Sequence, residues 1–102
     1  MLARPTPLSP TELAELIEQV LTLGVPILPT NKFRRRARER NFTIEDAIEV
    51  FRTGTITRDP IWNAAHEDWN YDVLGFDVEG RPLTIRFAVA PDSTGVILIT
   101  GF

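Results

Sequence analysis

Cysteine is missing altogether from these 102 residues, which removes disulfides, thiolate nucleophiles and thiolate metal sites at once. Histidine is nearly as scarce. With His66 alone, a zinc site would have to draw most of its ligands from carboxylates, so neither a metal nor a cofactor is expected. No apolar run approaches the roughly 20 residues of a membrane helix, and the first ten residues lack the apolar core of a signal peptide. A cytoplasmic protein without a membrane partner is the natural expectation. Surplus positive charge is also lacking: the net charge is −3, whereas proteins that grip nucleic acid by neutralising its backbone are usually basic. Any contact with RNA must therefore be local. What is present is ordinary for a folded domain, with 43% hydrophobic and 25% charged residues. One domain over residues 1–102 with a modest core follows.

The positive charge is concentrated. Residues 30–41 hold six of the eleven Lys and Arg residues. Read as a helix capped by Asn31, the stretch places Lys32, Arg36 and Arg40 in one row at i, i+4, i+8, beside the apolar pair Phe33 and Ala37. Such a helix lays Phe33 on a core and lines the edge of the adjoining cleft with three cations, which suit a phosphate or carboxylate. The plainer reading is a solvated face, partly neutralised by Glu39 and by acidic residues of the next helix, Glu45, Asp46 and Glu49, paired across a helical hairpin.

The rest of the chain reads in order as helices followed by strands. Ser9, Pro10 and Glu12 form a capping box with proline at the first helical position. Leu13, Leu16, Ile17, Val20 and Leu21 make one apolar stripe on a helix over 10–23 that Gly24 ends. Residues 25–29 are apolar but carry two prolines, which confines them to an edge strand or a connector. Asn41 closes the basic helix in the left-handed conformation. Thr43 caps a further helix with Ile44, Ala47, Ile48 and Phe51 as its buried stripe and Gly54 at its end. Residues 55–58 predict a short strand, and 59–68, without any period, a mobile loop. Residues 69–77 and 81–89 alternate with period two around Val78, Glu79 and Gly80. A three-residue loop sets Tyr71 against Phe87, Val73 against Ile85 and Asp72 against Arg86, which puts two apolar pairs on one face and an ion pair on the other. After a turn at 91–95, residues 96–100 are continuously apolar, as in a strand buried on both faces. The fold class is α+β: N-terminal helices on a small, mainly antiparallel sheet, with residues 1–24 as an extension to a core at 25–102.

The chain also resembles a bacterial domain-of-unknown-function family related to the RelE/ParE and BrnT toxins of type II toxin-antitoxin systems. The resemblance rests on Lys32 and Phe33 ahead of Arg36 and Arg40, then on the acid-capped helix from Phe42 to Gly54. It continues through Trp69 and Tyr71, the Gly75, Asp77, Gly80 and Leu83 pattern of the hairpin, and the terminal Ile99 and Thr100. Two positions depart from it: Lys32 replaces the motif histidine, and Asn41 replaces a glycine. The resemblance implies a RelE/ParE-like endoribonuclease acting on RNA or on mRNA at the ribosome. A cognate antitoxin of zinc-finger or helix-turn-helix type would restrain it. In that reading Lys32, Arg36 and Arg40 are the catalytic row.

Further candidates for contact with RNA or a partner are Arg35, Trp62, His66, Tyr71 and Arg86. Each also has a structural reading. The hairpin register puts Tyr71 in the core with Trp69 and pairs Arg86 with Asp72 at the surface; Arg35 reads as a solvated or ion-paired residue and His66 as a solvated residue of the loop, and Trp62, in the same loop, stays open between a plain loop residue and a base-stacking platform. The rival function is a non-catalytic binding module, or degenerate toxin, that docks an acidic protein on the basic helix.

Overall fold

The computed structural model describes residues 5–90 and 95–102. Its three helices begin where hydroxyl side chains accept the first free N–H groups. The first helix, α1 (Pro10–Thr22), starts with the expected capping box of Ser9 and Glu12. The second, α2 (Asn31–Arg40), is capped by Thr30 rather than Asn31: Thr30 Oγ1 accepts from Phe33 N at 3.1 Å, leaving Asn31 as the first helical residue. It ends at Asn41 in the left-handed conformation, φ 57°. The third, α3 (Ile44–Thr53), opens on a capping box between Thr43 and Asp46.

The strands are β1 (Ile27–Pro29), β2 (Thr55–Ile56), β3 (Ile61–Asn63), β4 (Asp68–Phe76), β5 (Pro82–Val89) and β6 (Val96–Gly101). The sheet runs β1-β6-β5-β4-β2, with β3 paired to the first part of β4. Among the described strands only β1 is parallel to its neighbour, and it lies at the edge of the sheet, where its proline is tolerated. The β4–β5 hairpin has the expected register: Tyr71 opposes Phe87, Asp72 opposes Arg86 and Val73 opposes Ile85. Gly80 closes its loop at φ 80°, a conformation that costs other residues roughly 1–2 kcal/mol.

Alternation along the strands separates two faces. Tyr71, Val73, Ile85, Phe87, Val96 and Leu98 join the buried side chains of all three helices in one core. Phe87 stands at its centre, in edge contact with Phe51 and tilted against Tyr71. Helix α3 presses close to β4: a Cβ on Gly54 would stand 2.5 Å from the Val50 carbonyl oxygen and 2.7 Å from that of Leu74. The opposite face carries Asp68, Asn70 and Asp72 on β4 and Arg86 on β5.

Three further expectations change. The buried stripe of α3 is turned toward Val50: Ala47, Val50 and Phe51 are buried, Ile48 is half-buried and Ile44 is exposed. The cause is Asp46, drawn inward because its two oxygens accept from Thr43 N and Val78 N. Residues 59–68 are not an unstructured loop but contain β3 and a turn onto β4. Strand β6 is buried on one face only, since Val96 and Leu98 are enclosed while Ile97 and Ile99 are half-exposed. The expected turn at 91–95 falls largely outside the described residues. No helix among the described residues is long and apolar enough to cross a membrane.

Candidate nucleotide-binding groove

Phe33 anchors α2. It is buried against Phe42, ring centroids 5.4 Å apart, and this fixes which way the rest of the helix faces. A second anchor is Thr30, whose hydroxyl donates to the Leu98 carbonyl at 2.9 Å while it caps the helix. The expected cationic row is real as a helical spacing but does not serve one cleft. Over eight residues of helix its ends lie about 12 Å apart. Lys32 lines a groove beside β5 and β6. Arg40 lines a separate hollow of about 210 Å³ with Phe42, Arg81 and Phe102. Arg36, between them, is half-exposed and lies 3.8 Å from Glu39. Arg35 is exposed, 3.9 Å from the same carboxylate.

The acidic residues of α3 do not pair with these arginines among the described residues. Glu49 binds Arg52 of its own helix at 3.1 Å, and Asp46 is spent on the cap and on Val78. Arg34, Arg38 and Arg40 make no ion pair among the described residues.

The groove at Lys32 is about 440 Å³, within the range of small-ligand sites. One wall is the first turn of α2, with Thr30 and Lys32. The facing wall is the β3–β4 turn, with Asn63, His66 and Asp68. Ala88, Ile97 and Ile99 make the apolar floor. A bulge in β6 helps to shape that floor: the register slips between Arg86 and Phe87, so Ile99 has no partner on β5.

The turn that presents His66 is firmly built. Asn63 Oδ1 accepts from Ala65 N at 3.1 Å and from His66 N at 3.4 Å, Glu67 takes the left-handed conformation at φ 51°, and the Trp62 and Trp69 rings meet edge to face at 5.2 Å beneath it. Trp69 also donates its indole N–H to the Pro5 carbonyl at 2.6 Å.

The remaining candidates lie elsewhere. Tyr71 belongs to the core, where its hydroxyl accepts from Leu8 N at 3.0 Å and burial raises its pKa, keeping it a neutral phenol. Arg86 pairs with Asp72 as expected, through two hydrogen bonds of 2.8 and 3.0 Å. The pair is not at the surface, because Asp72 is only 2% exposed. The hydrogen bonds to Asp72 hold the Arg86 pKa above its usual range, and the Phe102 ring lies 5.4 Å from the guanidinium.

Sequence reasoning passed over Asn63 and Asp68. Asp68, Asn70 and Asp72 alternate with Trp69, Tyr71 and Val73, and this polar stripe on an otherwise apolar strand was the available signal. Asp68 Oδ1, Asn70 Oδ1 and Thr100 Oγ1 are all shielded from solvent without a hydrogen-bond partner, an arrangement that natural proteins seldom leave unexplained. Among the described residues no three His, Cys, Asp or Glu side chains cluster as a metal site would require.

No curated protein and no solved structure matches the chain. A family model matches residues 30–100, from the cap of α2 to the penultimate residue of β6, so the chain belongs to the domain-of-unknown-function family DUF4258.

Proposed function

We propose that the chain is a toxin-like endoribonuclease of the RelE/ParE and BrnT kind, with its chemistry in the groove between α2 and the β3–β4 turn. The observation that carries this reading is that an ammonium-bearing and an imidazole-bearing residue, Lys32 and His66, line one groove large enough for a nucleotide. Lys32 occupies the position where the resemblance expects histidine, and His66 supplies the imidazole from the opposite wall. Imidazole is the side chain best suited to moving a proton near neutral pH.

In the reaction His66 takes the proton of a ribose 2′-hydroxyl as that oxygen attacks the adjacent phosphorus. The P–O5′ bond breaks, and the departing 5′-oxygen receives a proton from Lys32. The products are a 2′,3′-cyclic phosphate and a 5′-hydroxyl. Before that transfer the ammonium group also balances the charge growing on the phosphate. Arg36 and Arg40, further along α2, then guide the RNA backbone and stay outside the chemistry, and a cognate antitoxin restrains the activity in the cell.

The test is cleavage of a labelled single-stranded RNA by the purified chain, with Lys32→Ala and His66→Ala each slowing it about 10²- to 10⁴-fold. Intact RNA in the presence of folded protein would defeat the proposal, as would cleavage indifferent to both substitutions.

A second reading has its own support. Arg34, Arg38 and Arg40 lack ion-pair partners among the described residues of a chain whose net charge is −3, so α2 offers a cationic face to an acidic protein segment. Salt-dependent binding of a polyglutamate peptide that is lost on Arg34→Glu with Arg38→Glu favours this reading; binding indifferent to the reversal removes it.

A further inference from the structure

We infer that residues 5–8 are a detachable strap: an extended, proline-containing ligand that the chain binds to itself through Trp69 and Tyr71, and that fixes the groove wall carrying His66 for as long as it is bound. The inference concerns what holds that wall and stands apart from what the groove binds.

Proline dictates the shape of the strap and the groups it leaves free. Pro5 and Pro7 fix their own φ angles, and Pro7 turns Thr6 away from helix. The segment joins no helix and no strand. Extended chain of this kind makes no hydrogen bonds within itself, so its carbonyls and the N–H groups of Thr6 and Leu8 are open to side chains. Two aromatic residues of β4 take them up. Trp69 donates its indole N–H to the Pro5 carbonyl at 2.6 Å, and the Tyr71 hydroxyl accepts from Leu8 N at 3.0 Å. The Leu8 side chain packs on the core beside them. Aromatic side chains are the usual cradle for proline-rich peptides, whose preformed shape loses little entropy on binding. The strap is also free to leave: Pro5, Thr6 and the bond to Trp69 are exposed to solvent.

Trp69 connects the strap to the groove from behind. Alternation along β4 places Trp69 and Tyr71 on the core side of the sheet, opposite the Ile97 and Ile99 floor. Across the ladder Trp69 opposes Trp62, and the next residue of β3, Asn63, is the one that accepts from Ala65 N and His66 N. Strand β3 is three residues long and pairs with β4 alone among the described strands. A hairpin that short has little stability of its own. Whatever fixes Trp69 therefore helps to fix the turn that presents His66.

Hydrogen exchange of the full chain, followed by NMR, tests this. Trp69→Phe keeps a ring but removes the indole N–H, whereas Pro5→Gly with Pro7→Gly keeps both cradle residues and loosens the strap. Each should speed exchange across β3 and its turn at least about fivefold and leave the amides of β5 at the rate of the unaltered chain. The capped peptide Pro-Thr-Pro-Leu-Ser, with the sequence of residues 5–9, is the probe in trans. At roughly millimolar concentration, the range that a short tether supplies, it should restore slow exchange to the glycine variant and do nothing for Trp69→Phe. Exchange in β3 indifferent to both substitutions would overturn the inference. So would a glycine variant that the peptide does not restore, or one restored equally well by a peptide with glycine at both proline positions. Faster exchange in β5 to the same degree would also remove it, because the segment would then stabilise the fold as a whole and not the wall.

Discussion

The two faces of the sheet are made by the same strands and do different work. On one, Tyr71, Val73, Ile85, Phe87, Val96 and Leu98 close against three helices with no polar side chain among them except the tethered hydroxyl of Tyr71. On the other, Asp68, Asn70, Asp72 and Arg86 stand where apolar residues would have given a tighter domain. Single-residue alternation lets one β-strand serve both purposes, because the next side chain always points the other way. The first face holds the fold together; the second tolerates shielded oxygens without partners, a cost that a purely structural face would not carry.

Substitutions should sort by face. Phe87→Ala, at the middle of the apolar face, should cost about 3–5 kcal/mol, read as a lower urea midpoint at unchanged slope; a loss under about 1 kcal/mol would mean that this face is not the main source of stability. Asp72→Ala should be milder, about 2 kcal/mol, because it strands the Arg86 charge, which is itself partly solvated and keeps its contact with the Phe102 ring.

Asp77, at the start of the hairpin loop, should act through pH. The N–H groups of Arg81 and Glu79 and the Arg81 guanidinium hold its carboxyl below the usual range. A lowered folded-state pKa adds stability that is fully present above the ordinary aspartate value of about 4 and is lost as pH falls through the lowered one. Thermal melts of the chain and of Asp77→Asn should therefore differ at pH 7 and converge below about pH 4; a constant gap would refute the assignment. Lys32→Ala and His66→Ala should move stability least, by no more than about 0.5 kcal/mol, while abolishing whatever the groove does. If both also unfold the chain, the division of labour between the faces fails.

How much of this could be read beforehand follows the same division. The β4–β5 register was legible because Tyr71, Val73, Ile85 and Phe87 pair only one way without burying charge. Helix α1 was legible from its stripe and its caps. The rotation of α3 was not, because Asp46 points inward for a cap and for Val78, and a periodicity reading rejects a carboxylate on the buried side. Nor was β3, three residues long, bounded by Pro60 and a turn and stabilised by pairing with a strand that follows it. The groove escaped for a related reason. In the sequence Lys32 stands out as a cation and His66 as a solitary histidine, but their meeting at one groove depends on β6 lying between α2 and the β4–β5 hairpin. Local spacing carries no information about that.

Helix α1 raises a different matter. The family match begins at Thr30, yet Leu13, Leu16 and Val20 belong to the core and Ile27 to Pro29 form an edge of the sheet. The segment that the family model matches and the segment that folds are therefore not the same length. A chain started at residue 30 would keep the whole matched segment and lose three side chains of the core together with an edge strand, so the stretch that identifies this protein is smaller than the stretch that holds it together.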